Sequence, residues 1–134
     1  MMPAPRGLLD TSVFIAMESH RPIDVSMLPD ASVVCPVTIA ELQAGVLIAD
    51  DVDIRARRLA TLQAVADIEV LEIDAEVAAH WARLRVHLAH SGRRVNVNVL
   101  WIAATAAAHG IPVVTQDHDF NALEGAMGVA VIRV

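Results

Sequence analysis

The chain has 134 residues, of which 55% are hydrophobic, so it fits a single domain, expected over residues 1–134, with a substantial core. This apolar content excludes an intrinsically disordered chain, and no uninterrupted apolar run reaches the roughly 18 residues that a membrane helix needs. The formal net charge of −6 argues against a general basic nucleic-acid binder, although bound cations can offset clustered carboxylates.

The first half of the chain alternates short apolar strands with helices. The sequence predicts strands over 7–10 and 31–34, each followed by a helix. The first helix covers 11–18, and the second is expected to begin at Thr38, after Pro36 has ended the strand, and to run to about residue 47. Asp51 and Asp53 introduce a third helix, whose apolar side carries Ile54, Leu59, Leu62 and Ala66.

The second half continues the same alternation. A strand over 69–73 leads to a long helix that Asp74 caps. After the loop SGRRVN, an Ala-rich helix is expected to begin at Asn98, and strands over 112–115 and 129–131 follow. Strands that alternate with helices favour parallel βαβ units. The predicted fold class is therefore α/β, a three-layer α/β/α arrangement with a central parallel sheet of about five strands.

Four acidic residues fall where such a sheet holds its ligands, beyond the carboxyl ends of the strands. Asp10 ends the first strand, and Asp117 and Asp119 follow the fourth. Glu41 is expected in the first turn of the helix after the second strand, which begins at the same edge. If the first and fourth strands are neighbours, we expect these carboxylates to converge.

Converging carboxylates imply a cation. Two charges 4 Å apart repel by about 4 kcal/mol at an effective dielectric constant near 20. Carboxylate ligation selects hard ions, so Mg²⁺ or Mn²⁺ is expected. Such ions activate water and stabilise the transition state of phosphoryl chemistry. The pattern therefore favours phosphodiester hydrolysis.

Each acid also has a purely structural interpretation. Asp10 could cap the helix that follows it, and Thr38 with Glu41 has the spacing of a capping box. Asp117 and Asp119 could form a turn whose side chains bond the backbone. From spacing alone, both interpretations remain open at each position.

The segments LLDTSVFIA, VTIAELQAGV, WIAATAAAHGIPVVTQDHDF and the terminal VIRV resemble the PIN-domain toxins of the VapC type, the toxin halves of VapBC toxin–antitoxin pairs. The resemblance runs in order along nearly the whole chain. It implies a Mg²⁺-dependent endoribonuclease that a VapB-type antitoxin neutralises and that forms a homodimer or a toxin–antitoxin hetero-oligomer. It also agrees with a cytoplasmic location, which the absence of a signal-peptide h-region in MMPAPRGLLD favours.

The resemblance assigns roles residue by residue. Asp10, Glu41 and Asp117 match the family's catalytic and metal-holding acids, and Asp119 matches a frequent additional one. Residues with hydroxyl groups match positions near the metals and the substrate; these are Thr11, Ser12 and Thr115. Independently of the family, Arg93 and Arg94 either contact RNA phosphates or belong to a solvated basic loop.

One position departs from the family pattern. The family's helix start reads N-D-x-x-I-A-A-T-A, and here Val99 follows Asn98 where the acidic ligand stands. The first turn of a helix favours a carboxylate through its free N–H groups, and Val can neither use them nor bind a metal. We therefore expect impaired catalysis. A natural loss of activity and a deliberate substitution both explain Val99, and the otherwise intact motifs favour the second.

Two other functions remain to be compared with a ribonuclease toxin. The first is a catalytically dead PIN module that acts only by binding its antitoxin. The second is a phosphorylated receiver domain, which shares acids at strand ends but needs a Lys, and all ten basic residues of this chain are Arg. Cys35 is the only cysteine, which excludes an internal disulfide and a cysteine zinc site.

Overall fold

The computed structural model describes residues 3–134, so Met1 and Met2, which the single-domain prediction includes, lie outside the described residues. The strands and helices follow the order β1 (Arg6–Leu9), α1 (Thr11–Glu18), β2 (Ala31–Val34), α2 (Pro36–Ile48), α3 (Val52–Val65), β3 (Glu69–Val70), α4 (Ala75–His90), α5 (Val97–Ala108), β4 (Val113–Thr115) and β5 (Val131–Arg133). Short 3₁₀-helices cover Val25–Met27 and His118–Ala122. Over the described range, no helix is both long enough and apolar enough to cross a bilayer.

The five strands form one parallel sheet in the order β3-β2-β1-β4-β5. This arrangement confirms the predicted sheet and makes β1 and β4 neighbours. Leu9 pairs with Val114, and the backbone N–H of Asp10 donates to the carbonyl oxygen of Val114 at 2.9 Å. The residues that follow β1 and β4 are thereby brought to one edge of the sheet.

Successive strand residues point into two different cores, as the pleat of a strand requires. Leu8 of β1 belongs to one buried cluster and Leu9 to the other. The first cluster includes side chains of α4 and α5, such as Leu84 and Ile102, and the second includes side chains of α1, α2 and α3. Helices therefore cover both faces of the sheet, which confirms the three-layer α/β/α prediction.

Two helix starts differ from the sequence prediction. Helix α2 begins at Pro36 rather than Thr38, because the fixed φ of proline suits the first helical position. Cys35 is its N-cap and makes no side-chain bond, so the predicted capping box of Thr38 with Glu41 does not form. Glu41 was predicted in the first turn of α2. Because α2 begins at Pro36, Glu41 lies in the second turn instead.

Helix α5 begins at Val97 rather than at Asn98. Asn96 is its N-cap, and the side-chain oxygen of Asn96 accepts a hydrogen bond from the N–H of Asn98 at 2.7 Å. The earlier start makes Val99 the third residue of the helix. Its side chain therefore lies in the capped first turn of α5, at the edge of the sheet where the acids lie.

Strands β1 and β4 differ by one residue from their predicted bounds, and β3 and β5 differ by more. Strand β3 ends at Val70 instead of residue 73, after which Leu71 makes one further bond to the carbonyl oxygen of Val34. Strand β5 covers 131–133 instead of 129–131, because the N–H of Val129 closes a turn onto Ala126. Both strands lie at the edges of the sheet, where each pairs with a single neighbouring strand, and that one pairing sets its length.

Candidate active site

A cavity of about 200 Å³ opens at the carboxyl edge of β1 and β4. It brings together the four predicted acids, which are Asp10, Glu41, Asp117 and Asp119. Thr11 and Ser12 from the start of α1 also line it. The pocket therefore lies at the predicted edge of the sheet, where residues from four separate segments of the chain meet.

Asp10 lies deepest, with 4% of its surface exposed. One carboxylate oxygen, Oδ2, accepts hydrogen bonds from the hydroxyl of Thr115 at 2.9 Å and from the N–H of Ser12 at 3.4 Å. The bond to Ser12 makes Asp10 the N-cap of α1, so capping and pocket lining coexist in one side chain. Burial raises the pKa of Asp10, the bonds from Ser12 and Thr115 lower it, and the charge of Asp117 raises it further.

Thr115 connects two of the acids from beneath the pocket. Its hydroxyl is fully buried, donates to Asp10 and accepts from the backbone N–H of Asp117 at 2.8 Å. The Ser12 hydroxyl lies 3.2 Å away and acts as the donor to Thr115, since the single Thr115 proton is directed at Asp10. Ser12 in turn accepts from the N–H of Gln116 at 2.9 Å. Thr115 has no bonding capacity left, so in this structure it positions Asp10.

Glu41 reaches the pocket from α2 and is held there by α1. The hydroxyl of Thr11 donates to Glu41 Oε1 at 2.8 Å and lies 3.3 Å from the hydroxyl of Thr38. Thr38 is fully buried behind this contact. The helix starts of α1 and α2 are therefore linked by polar side chains that aim the Glu41 carboxylate.

Asp117 and Asp119 occupy the 3₁₀-helix after β4. The Asp117 carboxylate accepts a bond from the N–H of Asp119 at 2.8 Å and caps the segment His118–Ala122. The turn interpretation of these residues therefore also holds. Arg133 of β5 donates to the carbonyl oxygen of Asp117 at 3.4 Å, which ties the segment to the sheet.

The donor chemistry of the pocket fits a hard divalent cation, but the ligand set is incomplete. Carboxylate and hydroxyl oxygens are the ligands such ions prefer. Within residues 3–134, however, no three His, Cys, Asp or Glu side chains lie close enough together to hold a metal ion. Val99 faces the same pocket, 6% exposed, and packs into the α4–α5 side of the core with Ile102. An apolar wall therefore stands where the helix start would favour an acid.

Three other lining residues were not predicted from the sequence. Asn96 and Asn98 line the pocket from the start of α5, and Ile15 lines it from α1. The spacing of the two Asn residues indicates a cap and could have located the helix start. Arg93 and Arg94 do not line the acidic pocket, but instead lie in a neighbouring cavity that shares Asp119 with it.

Comparison with known proteins identifies the family. The PIN domain profile matches residues 7–126. Ribonuclease VapC5 of Mycobacterium tuberculosis is 59% identical over 128 residues, which cover 96% of this chain and 95% of that protein. This chain belongs to the PIN-domain family, in its VapC group. The tRNA(fMet)-specific endonuclease VapC of Shigella flexneri is 30% identical to this PIN-domain chain over 82% of its length and 85% of the endonuclease.

The fold agrees with a solved VapC-type PIN domain. The crystal structure of VapBC-5 from Mycobacterium tuberculosis, a member of the VapBC family of toxin–antitoxin systems, matches with a TM-score of 0.91. The two chains are 56% identical, and the match covers 97% of this chain and 99% of the other. The sheet order and helix arrangement described above are therefore those of a VapC-type PIN domain.

Proposed function

We propose that this chain is the toxin component of a type II toxin–antitoxin system and is built as an endoribonuclease that hydrolyses RNA phosphodiester bonds. The observation that carries the proposal is the pocket where Asp10, Glu41, Asp117 and Asp119 meet at the carboxyl edge of the sheet. The relatives support it, since Ribonuclease VapC5 and the tRNA(fMet)-specific endonuclease VapC bear the names of RNA-cleaving enzymes. The proposed site of action is the cytoplasm.

The proposed cofactor is a divalent ion, Mg²⁺ or Mn²⁺, because the pocket offers oxygen ligands only. Asp10 and Asp117 would hold it, with Glu41 and Asp119 at the rim. When bound, such an ion supplies an activated water and neutralises charge on the phosphate. The chain's own residues orient the acids: Thr115 holds Asp10 and Thr11 holds Glu41, both by direct hydrogen bonds.

The proposal includes impaired catalysis by this chain. Val99 supplies no oxygen to the pocket, and with Ile102 it makes that wall apolar. Interactions that stabilise charge in the transition state are commonly worth about 10²–10³ in rate each. We therefore expect Val99→Asp to cleave RNA at least about 100-fold faster than the unchanged chain.

The proposed partner is a VapB-type antitoxin, as in the VapBC-5 complex named above. A groove of about 350 Å³ continues from the acidic pocket between α1 and α2, and the two cavities share Ile15 and Glu41. Ile15 is 42% exposed and Ile48, farther along the groove, is 75% exposed. A segment with apolar side chains and an Arg that enters the acidic pocket would complement this surface. A homodimer, or a hetero-oligomer with the antitoxin, is proposed for the assembly.

The alternative function is a PIN module that only binds its antitoxin. The apolar Val99 side chain is the observation that favours it, because binding needs no complete metal site. A complex with the antitoxin whose affinity stays unchanged in the Asp10→Ala, Asp117→Ala double variant would argue against insertion of a basic side chain into the pocket.

The deciding experiment compares RNA cleavage by the unchanged chain, Val99→Asp and Val99→Asn, each with Mg²⁺ and with EDTA. Val99→Asn is the matched control, since it has the shape of Asp without the charge. The proposal expects strong, EDTA-sensitive cleavage by Val99→Asp only. No cleavage by Val99→Asp would favour the binding module, and equal cleavage by all three would remove position 99 from the site.

A further inference from the structure

Beside the acidic pocket lies a second cavity, of about 330 Å³, that the catalytic residues do not use. Arg93 and Arg94 of the loop between α4 and α5 line one side of it. His118 and Asn121 of the 3₁₀-helix after β4 line the other. Asp119 belongs to both cavities, so the two are contiguous.

Apart from Asp119, the polar side chains around this cavity offer hydrogen-bond donors. Each guanidinium offers five N–H groups and no acceptor, and an imidazole always offers at least one N–H. The side-chain oxygen of Asn121 accepts from Arg133, which leaves the Asn121 amide N–H groups for another partner. Asp119 alone contributes a negative charge, against two Arg. The cavity therefore has the character of an anion site.

The two arginines are also uncommitted. In the part of the chain that the structure describes, the ion pairs join Arg6 to Glu69 and Arg133 to Glu124, and neither involves Arg93 or Arg94. Both residues are exposed. Their guanidinium groups are therefore available to bind an anion beside the acidic pocket.

We propose that this cavity is a phosphate-binding subsite for RNA, and that Arg93 and Arg94 hold a phosphate next to the one presented to the acidic pocket. The inference rests on the proposed ribonuclease function. A nucleic-acid strand that crosses a cluster of carboxylates is repelled there and needs positive contacts on a flank, which this cavity provides. Arg binds phosphate with a bidentate geometry that fixes the register of the strand.

The site reads phosphates and not the sugar. Its donors would contact single-stranded RNA and single-stranded DNA of the same sequence alike, because phosphate contacts carry no information on the 2′-hydroxyl. Selection for RNA is then made elsewhere in the protein.

The test measures the affinity of the full chain for a fluorescein-labelled single-stranded RNA oligonucleotide by fluorescence anisotropy, in EDTA, over a series of KCl concentrations. Neutralising one phosphate contact changes the slope of log affinity against log salt by about 0.7 for a single strand. Because Arg93 and Arg94 together hold one phosphate, the Arg93→Ala, Arg94→Ala double variant is expected to reduce the slope by about 0.7. The Lys double variant at the same positions should retain most of the slope, since it keeps both charges.

The matched control removes two exposed arginines that lie outside both cavities, as Arg57→Ala with Arg85→Ala. This control should bind as the unchanged chain does. Equal losses in the two double variants would mean diffuse attraction and would overturn the proposal, as would an unchanged slope in the Arg93, Arg94 variant or no measurable RNA binding by the unchanged chain. Thermal unfolding of each variant checks that the fold is retained.

A second readout separates this inference from the proposed function. In the Val99→Asp background, loss of Arg93 and Arg94 should raise KM for RNA several-fold and leave kcat unchanged. If Val99→Asp cleaves RNA and neither KM nor the salt slope responds to the arginines, the subsite is wrong and the ribonuclease proposal stands. If Val99→Asp fails to cleave RNA but the salt slope still depends on Arg93 and Arg94, the subsite stands and the ribonuclease proposal is wrong.

Discussion

Thr115→Val probes how the acidic pocket is built. Valine keeps the shape of the buried side chain and removes only the hydroxyl. In the structure that hydroxyl donates to Asp10 at 2.9 Å and accepts from the N–H of Asp117 at 2.8 Å, with no exposed surface. The substitution therefore removes a donor from a buried carboxylate and leaves a backbone N–H without its acceptor.

The two losses can be given magnitudes. A hydrogen bond to a charged group contributes about 1.5–3 kcal/mol, and loss of the acceptor of the partly buried Asp117 N–H costs about 1 kcal/mol. Thr115→Val should therefore lower the free energy of unfolding at pH 7 by about 3 kcal/mol, which for a chain of this size lowers Tm by roughly 10 °C. The loss should be smaller in acid, where Asp10 is protonated and its bond to Thr115 joins two neutral groups.

Thr105→Val is the matched control. Thr105 is also fully buried, but its hydroxyl donates to the neutral carbonyl oxygen of Trp101 at 2.8 Å within α5. The expected loss is about 1 kcal/mol or less. Urea unfolding in EDTA at pH 7, repeated at pH 4, measures both variants. Equal losses for Thr105 and Thr115 at pH 7, or a loss at Thr115 that does not change with pH, would refute the charged network.

Three further variants test other parts of the structure. Burial raises the pKa of Asp10, so its ionisation opposes folding as the pH rises above the ordinary Asp value near 3.9. Asp10→Asn should therefore unfold at a higher temperature than the unchanged chain at pH 7 and lose this advantage near pH 4. The same difference in unfolding temperature at both pH values would contradict this. A Cβ on Gly7 would lie 2.7 Å from Val114 Cγ2 and 3.0 Å from Pro29 Cγ, so Gly7→Ala should lower the unfolding free energy by about 1–3 kcal/mol in urea titrations, and an unchanged midpoint would be evidence against this close packing. In EDTA, Val99→Asp should melt at a lower temperature than Val99→Asn, because it adds a charge among carboxylates. When EDTA is replaced by Mn²⁺, the Tm of Val99→Asp alone should rise. A Tm gain in both variants would argue against coordination at this position.

The fold was predictable because its signal is carried by buried apolar residues in the strands. Leu8 and Leu9, and likewise Val33 and Val34, direct adjacent side chains into two cores, which gives short strands that are apolar throughout. Such strands alternating with amphipathic helices leave few arrangements other than a parallel three-layer fold. The helix starts were harder, because Pro36 fits both the end of a strand and the first position of a helix.

The site was predictable at the level of which acids converge, but not in how they are held. Asp10 and Asp117 follow neighbouring strands, and that topology followed from the sequence pattern. The hydrogen bonds of the Thr115 hydroxyl to Asp10 and from Asp117 depend on the register of Leu9 against Val114, which no local sequence pattern encodes. The same dependence explains why Asp10 can be both a helix cap and a pocket residue, two interpretations that spacing could not separate.

Calorimetric titration of Mn²⁺ and Mg²⁺ into the unchanged chain and into Val99→Asp tests directly whether Val99 leaves the metal site incomplete. Because loss of even an outer-shell contact weakens metal binding by about 10–100-fold, loss of a direct ligand should weaken it by at least about 100-fold. We expect a saturable binding heat for Val99→Asp and little or none for the unchanged chain at the same concentrations. Equal affinity of the two chains for either ion would contradict it.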